Sequence, residues 1–292
     1  MAISEEGNQK NLVQDKASIW FYSPVETLAM LNLSSVTLLC VETRDPKLAE
    51  WAIERCLQGV QFAKVILFTD LERIDTRQPG IEYVQAPVIN NTKDYSLFLL
   101  QGIEPYVQTS HALVIQWDSF ITHPNLWREE FLQYDYIGPV WPHHPETPVG
   151  NGGFSLRSLR LLRAIQQPGF VYQHPEDYCI VADNQAFLKR HGIQIAPKEI
   201  AEQFAVERTH WHEAFGFHGF FNFARVLDDA SLKPFLAMLP NSYLGGLDTY
   251  DLVGYLIEQN RMMLAKQIIE NIPFRWKMRK RFFKAKFWML TH

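Results

Sequence analysis

The sequence predicts an α/β fold, a mostly parallel sheet flanked by helices, followed by a helical C-terminal extension. Three observations carry this prediction. Short apolar runs of strand length recur, among them VTLLCV at 36–41, KVILFT at 64–69 and the start of HALVIQWDSF at 111–120. Between them lie KLAEWAIERCLQGV and DYSLFLLQGIEPYV, whose apolar residues fall at helical spacing. Alternation of strand and helix is the pattern of βαβ units, which stack into parallel sheets.

Each element follows from local chemistry. Residues 1–17 are rich in Glu, Gln, Lys and Asn and poor in aliphatics, so they read as a flexible lead. VTLLCV is the first strand, ETRDP a loop, and KLAEWAIERCLQGV the first helix. KVILFT, closed by Asp70, is the second strand, and IEYVQAPV is a third extended segment ending near a proline. DYSLFLLQGIEPYV reads as a helix interrupted by Gly102 and Pro105, leading into the buried strand that Asp118 terminates. The stretch YDYIGPVWPHHPETPVGNGGFSLRS is dense in aromatics, Pro and Gly and reads as a site-building loop. A helix is expected from Leu156 to about Ile165, and another from Pro175 to His191, with Pro in its first turn and Gly192 as its stop. Residues 18–230 then form the sheet domain. Residues 231–292 form the extension, with short helices from Leu232 to Ile272 and a basic, aromatic tail.

At 292 residues and 47% hydrophobic content the chain can bury a sizeable core. Its three cysteines, Cys40, Cys56 and Cys179, show no CxxC spacing, which points away from a disulfide framework or a thiolate zinc site and toward a reducing, cytoplasmic setting. The polar amino terminus lacks the apolar core of a secretory signal, and no segment is long and apolar enough to span a bilayer. The net charge of −4 conceals an asymmetry, because the stretch from Pro273 onward has seven Lys/Arg and no acid.

In open α/β sheets ligands gather at the carboxyl ends of the strands. Glu42, Thr43, Arg44, Asp70 and Asp118 belong to that edge. Asp118 must be solvated, paired or bound to a cation, since burying a lone carboxylate is too costly. A solvated strand end or a local helix cap is the plain alternative. In GNGGFSLRS, residues 150–158, three glycines within four positions let backbone amides approach a ligand, or simply make a tight turn. The spacing is neither GxGxxG nor a Walker loop. Glu176 and Asp177 open a helix, where acids favour the positive end of the dipole, and where a carboxylate held over a pocket can also act as a general base. His218, in EAFGFHGF, is either a packed, hydrogen-bonded residue or a ligand.

Taken in order, Gln116–Asp118 (QWD), Asp135–Gly138 (DYIG), Trp141–Pro142 (WP), Gly150–Ser158 (GNGGFSLRS), the Glu176–Asp177 pair and Phe215–Gly219 (FGFHG) resemble an uncharacterised, mainly bacterial family of glycosyltransferase-like domains with the GT-A fold. The resemblance covers about Val36 to Asn222. It implies a Rossmann-like GT-A sheet and transfer of a sugar from a nucleoside diphosphate to a hydroxyl acceptor, with inversion favoured. It implies donor-binding roles for Glu42, Thr43, Arg44, Gln116, Trp117 and Asp118, and it places Asn151, Gly152, Gly153 and Trp141 in the loop that meets donor and acceptor. Asp118 and His218 would hold Mn²⁺ or Mg²⁺, since oxygen ligands with one imidazole suit either ion. The usual Asp-x-Asp is here Gln-Trp-Asp, so Asp118 is the one acid of that motif. Asp177, ahead of Glu176, would supply the base.

Two other readings start from different residues. His210, His212 and His218 could ligate a catalytic zinc in a hydrolase. Trp117, Tyr136, Trp141 and Trp211 could stack on sugars in a non-catalytic carbohydrate or nucleotide-sugar binding module. The tail, residues 273–292, interleaves cations with aromatics, which suits peripheral contact at the inner face of a membrane and access to lipid-linked acceptors. A basic helix packed on the domain, or a nucleic-acid patch, would show the same composition; no nucleic-acid partner is expected.

Overall fold

Strand β1 (Leu31–Val41), helix α1 (Pro46–Leu57), strand β2 (Val60–Thr69), strand β3 (Glu82–Gln85), helix α2 (Thr92–Gln101) and strand β4 (His111–Ile115) follow one another as the apolar runs require. These elements belong to a computed structural model that describes residues 30–291. The lead expected at residues 1–17 lies outside the described residues.

After β4 come β5 (Ser119–Ile121), β6 (Tyr136–Ile137), β7 (Phe154–Ser158), α3 (Leu159–Ala164), α4 (Glu176–Tyr178), α5 (Gln185–Arg190), α6 (Lys198–Phe204), β8 (Ala205–Val206) and β9 (Gly216–His218). The extension holds α7 (Phe223–Val226), α8 (Asp229–Met238), α9 (Leu247–Glu258), α10 (Met262–Asn271) and α11 (Arg279–Thr291). Six strands form one sheet in the order β3-β2-β1-β4-β7-β6, with β5-β9-β8 as a second, smaller sheet. β1 through β4 are parallel neighbours, while β7 runs antiparallel to both β4 and β6. The fold is therefore mixed α/β with a mostly parallel central sheet flanked by helices.

Burial explains the sequence pattern. β4 is buried at every position, as expected of a strand covered on both faces. α1 buries Leu48, Ala49, Ala52, Ile53 and Cys56, one stripe at helical spacing. The extension does not stand apart, because Leu232, Phe235, Leu252, Leu256, Ile268 and Ile269 join the same buried cluster as β1 and α1.

Three local expectations need correction. Leu156 does not begin a helix: it lies in β7, whose five residues are all buried between β4 and β6, and α3 starts only at Leu159, capped by the Ser158 hydroxyl accepting from Leu161 N–H. The helix expected from Pro175 to His191 is broken into α4, a π-helical turn at Cys179–Asp183, and α5. Asn184 causes the break, because its amide donates to the carbonyls of Val171 and Cys179 and its oxygen accepts from Val171 N–H. HALVIQWDSF is likewise two strands, since the chain leaves the large sheet after Ile115 and enters the small one at Ser119.

Candidate functional site

The turn between β4 and β5, Gln116-Trp117-Asp118, crosses from one sheet to the other and is pinned to the glycine loop. Gln116 N–H donates to Gly153 O at 3.0 Å, and Ser119 Oγ donates to the same oxygen at 2.7 Å. His218 ends β9, which pairs antiparallel with β5 so that Ser119 lies opposite His218. Sheet register thus brings Asp118 and His218 together, with Asp118 Oδ1 3.5 Å from His218 Nε2.

Asp118 is 7% exposed, and its Oδ1 has no hydrogen-bond partner among the described residues. Such orphaned buried oxygens are rare, and each calls for a ligand, an ion or water. His218 Nε2 also lies 3.2 Å from Gln116 Oε1, and its Nδ1 lies 3.2 Å from Glu207 Oε1. Burial works against a charge on this imidazole, but the Asp118 and Glu207 carboxylates outweigh it and hold the histidine protonated well above its ordinary range. Glu207 in turn accepts from Asn151 Nδ2 at 2.9 Å, tying the glycine loop to the same cluster. The residues fit the cation that the resemblance implies once His218 gives up its proton: one carboxylate oxygen and one imidazole nitrogen face each other at 3.5 Å, a cation would take the place of the proton between them, and most other positions would fall to phosphate and water. No group of three or more His, Cys, Asp or Glu side chains among the described residues is arranged to hold a metal unaided.

Gly152 and Gly153 are where the loop needs glycine. A Cβ on Gly153 would lie 2.1 Å from His218 Nε2, and one on Gly152 would lie 2.3 Å from Glu176 Oε1. The loop backbone therefore runs between the histidine and the acid pair with no room for side chains.

The two acids of that pair differ. Glu176 is buried, receiving Arg157 Nη2 at 3.2 Å and Ser96 Oγ at 3.1 Å. Arg157 is wholly buried, over the Tyr136 ring. Asp177 is partly exposed, accepting from Gly152 N–H at 3.0 Å and Tyr178 N–H at 2.8 Å. Burial, and then the charge of Glu176, push the Asp177 carboxyl above the usual range, against the pull of those two amides and Arg157.

Five of the six expected donor-side residues line one cleft of 290 Å³: Glu42, Thr43, Arg44, Gln116 and Trp117, together with Asn90–Thr92 and Tyr95. Glu42 is buried and accepts from the N–H groups of Arg44 and Asp45, while the Arg44 guanidinium lies over the Tyr243 ring at 4.6 Å. Tyr243, from the extension, also meets Trp117 edge to face. Gln116 links the cleft to the Asp118–His218 pair, its amide donating to Tyr95 Oη at 3.0 Å while its oxygen meets His218. Trp141 sits elsewhere, packed against Gly150 and beside Tyr178. Asp70 is no part of the cleft; it caps the turn after β2.

Two alternative roles fail on geometry. Both His212 ring nitrogens face carbonyl oxygens, those of His210 at 3.0 Å and Glu202 at 2.7 Å, acceptors that call for N–H donors rather than the lone pair a zinc ligand would offer, and the ring lines a different cavity from the one beside Gln116. Tyr136 is wholly buried and offers no face to a sugar. Glu207 and Tyr243 went unpredicted. The rule that singled out Asp118, an acid directly after an apolar run, applies to Glu207 after Phe204-Ala205-Val206; Tyr243 carries no comparable local signal.

Comparison with known proteins adds the following. The model of a family described as a protein of unknown function (DUF5672) matches residues 78–218, a span holding Asp118, the glycine loop, the acid pair and His218. No curated protein matches. Among solved structures, the chain is similar to a glycosyltransferase involved in the glycosylation of the major capsid of PBCV-1, at 12% identity and TM-score 0.40, covering 70% of this chain and 99% of that one. It is similar to an active-site mutant of LgtC at 10% identity and TM-score 0.39, covering 62% and 86%. It is also similar to S. aureus TarS in complex with UDP-GlcNAc at 8% identity and TM-score 0.36, covering 86% and 79%.

Proposed function

We propose that this protein is a metal-dependent glycosyltransferase that moves a sugar from a nucleoside-diphosphate donor to a hydroxyl of a glycan or lipid-linked glycan. The observation that carries the reading is the orphaned Asp118 oxygen facing His218, joined through Gln116 to a cleft at the carboxyl edge of the sheet. Glu42, Thr43 and Arg44 receive the nucleoside, with the Arg44 guanidinium at the rim, where it can turn toward phosphate. Asp118 and His218 hold Mn²⁺ or Mg²⁺, and a lipid-linked acceptor comes within reach where residues 273–292 meet a membrane.

When bound, the cation supplies positive charge against the departing diphosphate. The chain's own groups do the rest. Asp177 takes the proton from the acceptor hydroxyl as its oxygen bonds to the anomeric carbon and the bond to the diphosphate breaks. Each Asp177 oxygen accepts one backbone N–H and keeps a lone pair free, and its raised pKa makes it a stronger base. Transfer by a single displacement inverts the anomeric centre.

A thermal-shift screen of nucleoside diphosphates and their sugars, with and without Mn²⁺, tests this. A ligand at 100 times its Kd stabilises by about 2.7 kcal/mol. Asp118→Asn is expected to remove the Mn²⁺-dependent part of that gain, and Asp177→Asn to keep binding while losing transfer. If no nucleotide stabilises the parent protein with or without Mn²⁺, the donor site does not exist.

A further inference from the structure

Helix α11 presents two apolar faces. At about 100° per residue, Phe282, Ala285, Trp288 and Met289 share one side, and these are the residues packed on the core. Phe283, Phe287 and Leu290 fall within about 60° of one another on the other side. They are 62%, 69% and 81% exposed, and Trp276, just upstream, is 71% exposed. Phe274 extends the patch, its ring 6.0 Å from that of Phe283. The first face holds the helix to the domain; on the second, Phe283 meets the rings of Phe274 and Phe282 while most of its surface and that of Phe287 and Leu290 stays exposed.

The tail's cations divide the same way. Arg281 pairs with Asp251, Arg275 donates to Ser242 O, and Lys286 donates to Ile269 O, so these three fasten the tail. Lys277, Lys280 and Lys284 are exposed and make no ion pair or hydrogen bond among the described residues. Lys280 and Lys284 border the Phe283–Phe287–Leu290 stripe, while Arg279 covers the Trp276 ring at 4.8 Å. No acid occurs from Pro273 onward. A second copy would bring like charges together, which disfavours self-pairing. The helix cannot cross a bilayer, since no helix among the described residues is long and apolar enough.

We propose that α11 and the preceding Phe274–Lys277 form a docking face for an anionic lipid surface. Phe283, Phe287, Leu290 and Trp276 enter the headgroup region, and Lys277, Lys280 and Lys284 meet lipid phosphates. Aromatic rings favour that interface, and cations near it are attracted by the surface potential. The claim goes beyond the sugar-transfer reading and does not depend on it, because vesicle binding and donor binding are measured separately.

The full-length protein is sedimented with vesicles of phosphatidylcholine alone and of phosphatidylcholine mixed with phosphatidylglycerol. It is expected to pellet with the mixed vesicles only, and less as salt rises. Phe283→Ser with Phe287→Ser, and separately Lys280→Glu with Lys284→Glu, should each weaken binding by at least about tenfold. Both pairs leave the packed face intact, so the circular-dichroism melt and the nucleotide response should not change. Equal binding to neutral vesicles, or none to either kind, overturns the proposal. So does a dimer that the phenylalanine pair abolishes, or capture of an RNA oligonucleotide without vesicle binding that the lysine pair abolishes.

Discussion

Asp118 and Glu176 are both buried acids, on either side of one glycine loop, yet their surroundings are opposite. Glu176 has a guanidinium and a serine hydroxyl to fill its lone pairs. Asp118 keeps an oxygen with no hydrogen-bond partner among the described residues, although the side chain is scarcely more exposed. A buried carboxylate whose partners are all supplied by the chain is a brace. One whose buried oxygen faces only a histidine, at 3.5 Å and without a hydrogen bond, is where the fold has left room for something else to bind. Neighbouring Asp177 stands between these cases, bound by two backbone amides and still partly open.

The contrast can be broken most severely on the braced side. Glu176→Ala strands the wholly buried Arg157 charge and is expected to cost about 3–5 kcal/mol in urea unfolding, whereas Asp118→Asn should cost less without ligand, because His218 keeps Glu207 as a partner and, unlike an arginine, can give up its proton. Adding Arg157→Met to Glu176→Ala should recover much of the loss, because the stranded charge is then gone. Equal costs at positions 118 and 176 would erase the distinction.

On the open side, Gly153→Ala places a methyl against the His218 ring. It should cost about 1–3 kcal/mol by overpacking and also remove the Mn²⁺-dependent gain in nucleotide binding. A normal metal response in that variant would mean His218 is not a ligand.

The smallest effect concerns pH. Asp177 must be ionised to act as a base, so transfer should fall as pH drops through its raised pKa. Glu176→Gln removes one cause of that rise, so the acid limb of the rate profile should move to lower pH. For stability the sign is reversed: the contribution of a raised carboxyl is complete below about pH 3.9 and is lost as pH climbs through the folded value. An unmoved limb in Glu176→Gln would assign the base elsewhere.

How much of this was legible depended on range. β1, α1, β2 and β4 each declare themselves in an apolar run or a helical stripe, because burial on a strand or helix is a local pattern. β7 did not, because it buries Ser155 and Arg157 along with Phe154 and Leu156, and a hydrophobicity pattern cannot register an arginine held by Glu176 and the Gly152 carbonyl. The break after Tyr178 depends on Asn184 reaching back to Val171, a contact that neither segment shows alone. Within the site, Asp118, Asp177 and His218 could be proposed from position. Their differing states could not, since these follow from the partners that folding supplies. Tyr243 reached the cleft only because the extension folds back over β1 and the turn after β4.

The antiparallel pairing of Ser119 with His218 has a consequence for how the site can change. Successive residues on a strand point to opposite sides, so sliding β9 by one position along β5 would turn His218 away from Asp118 and bring Phe217 or Gly219 into its place. A single inserted residue in Gly216–His218 should therefore silence the site while leaving the six-stranded sheet intact. Substituting side chains without moving the backbone can instead retune it. The spacing between the two candidate ligands is thus inherited from backbone pairing, and their chemistry from two side chains, so the two can vary independently.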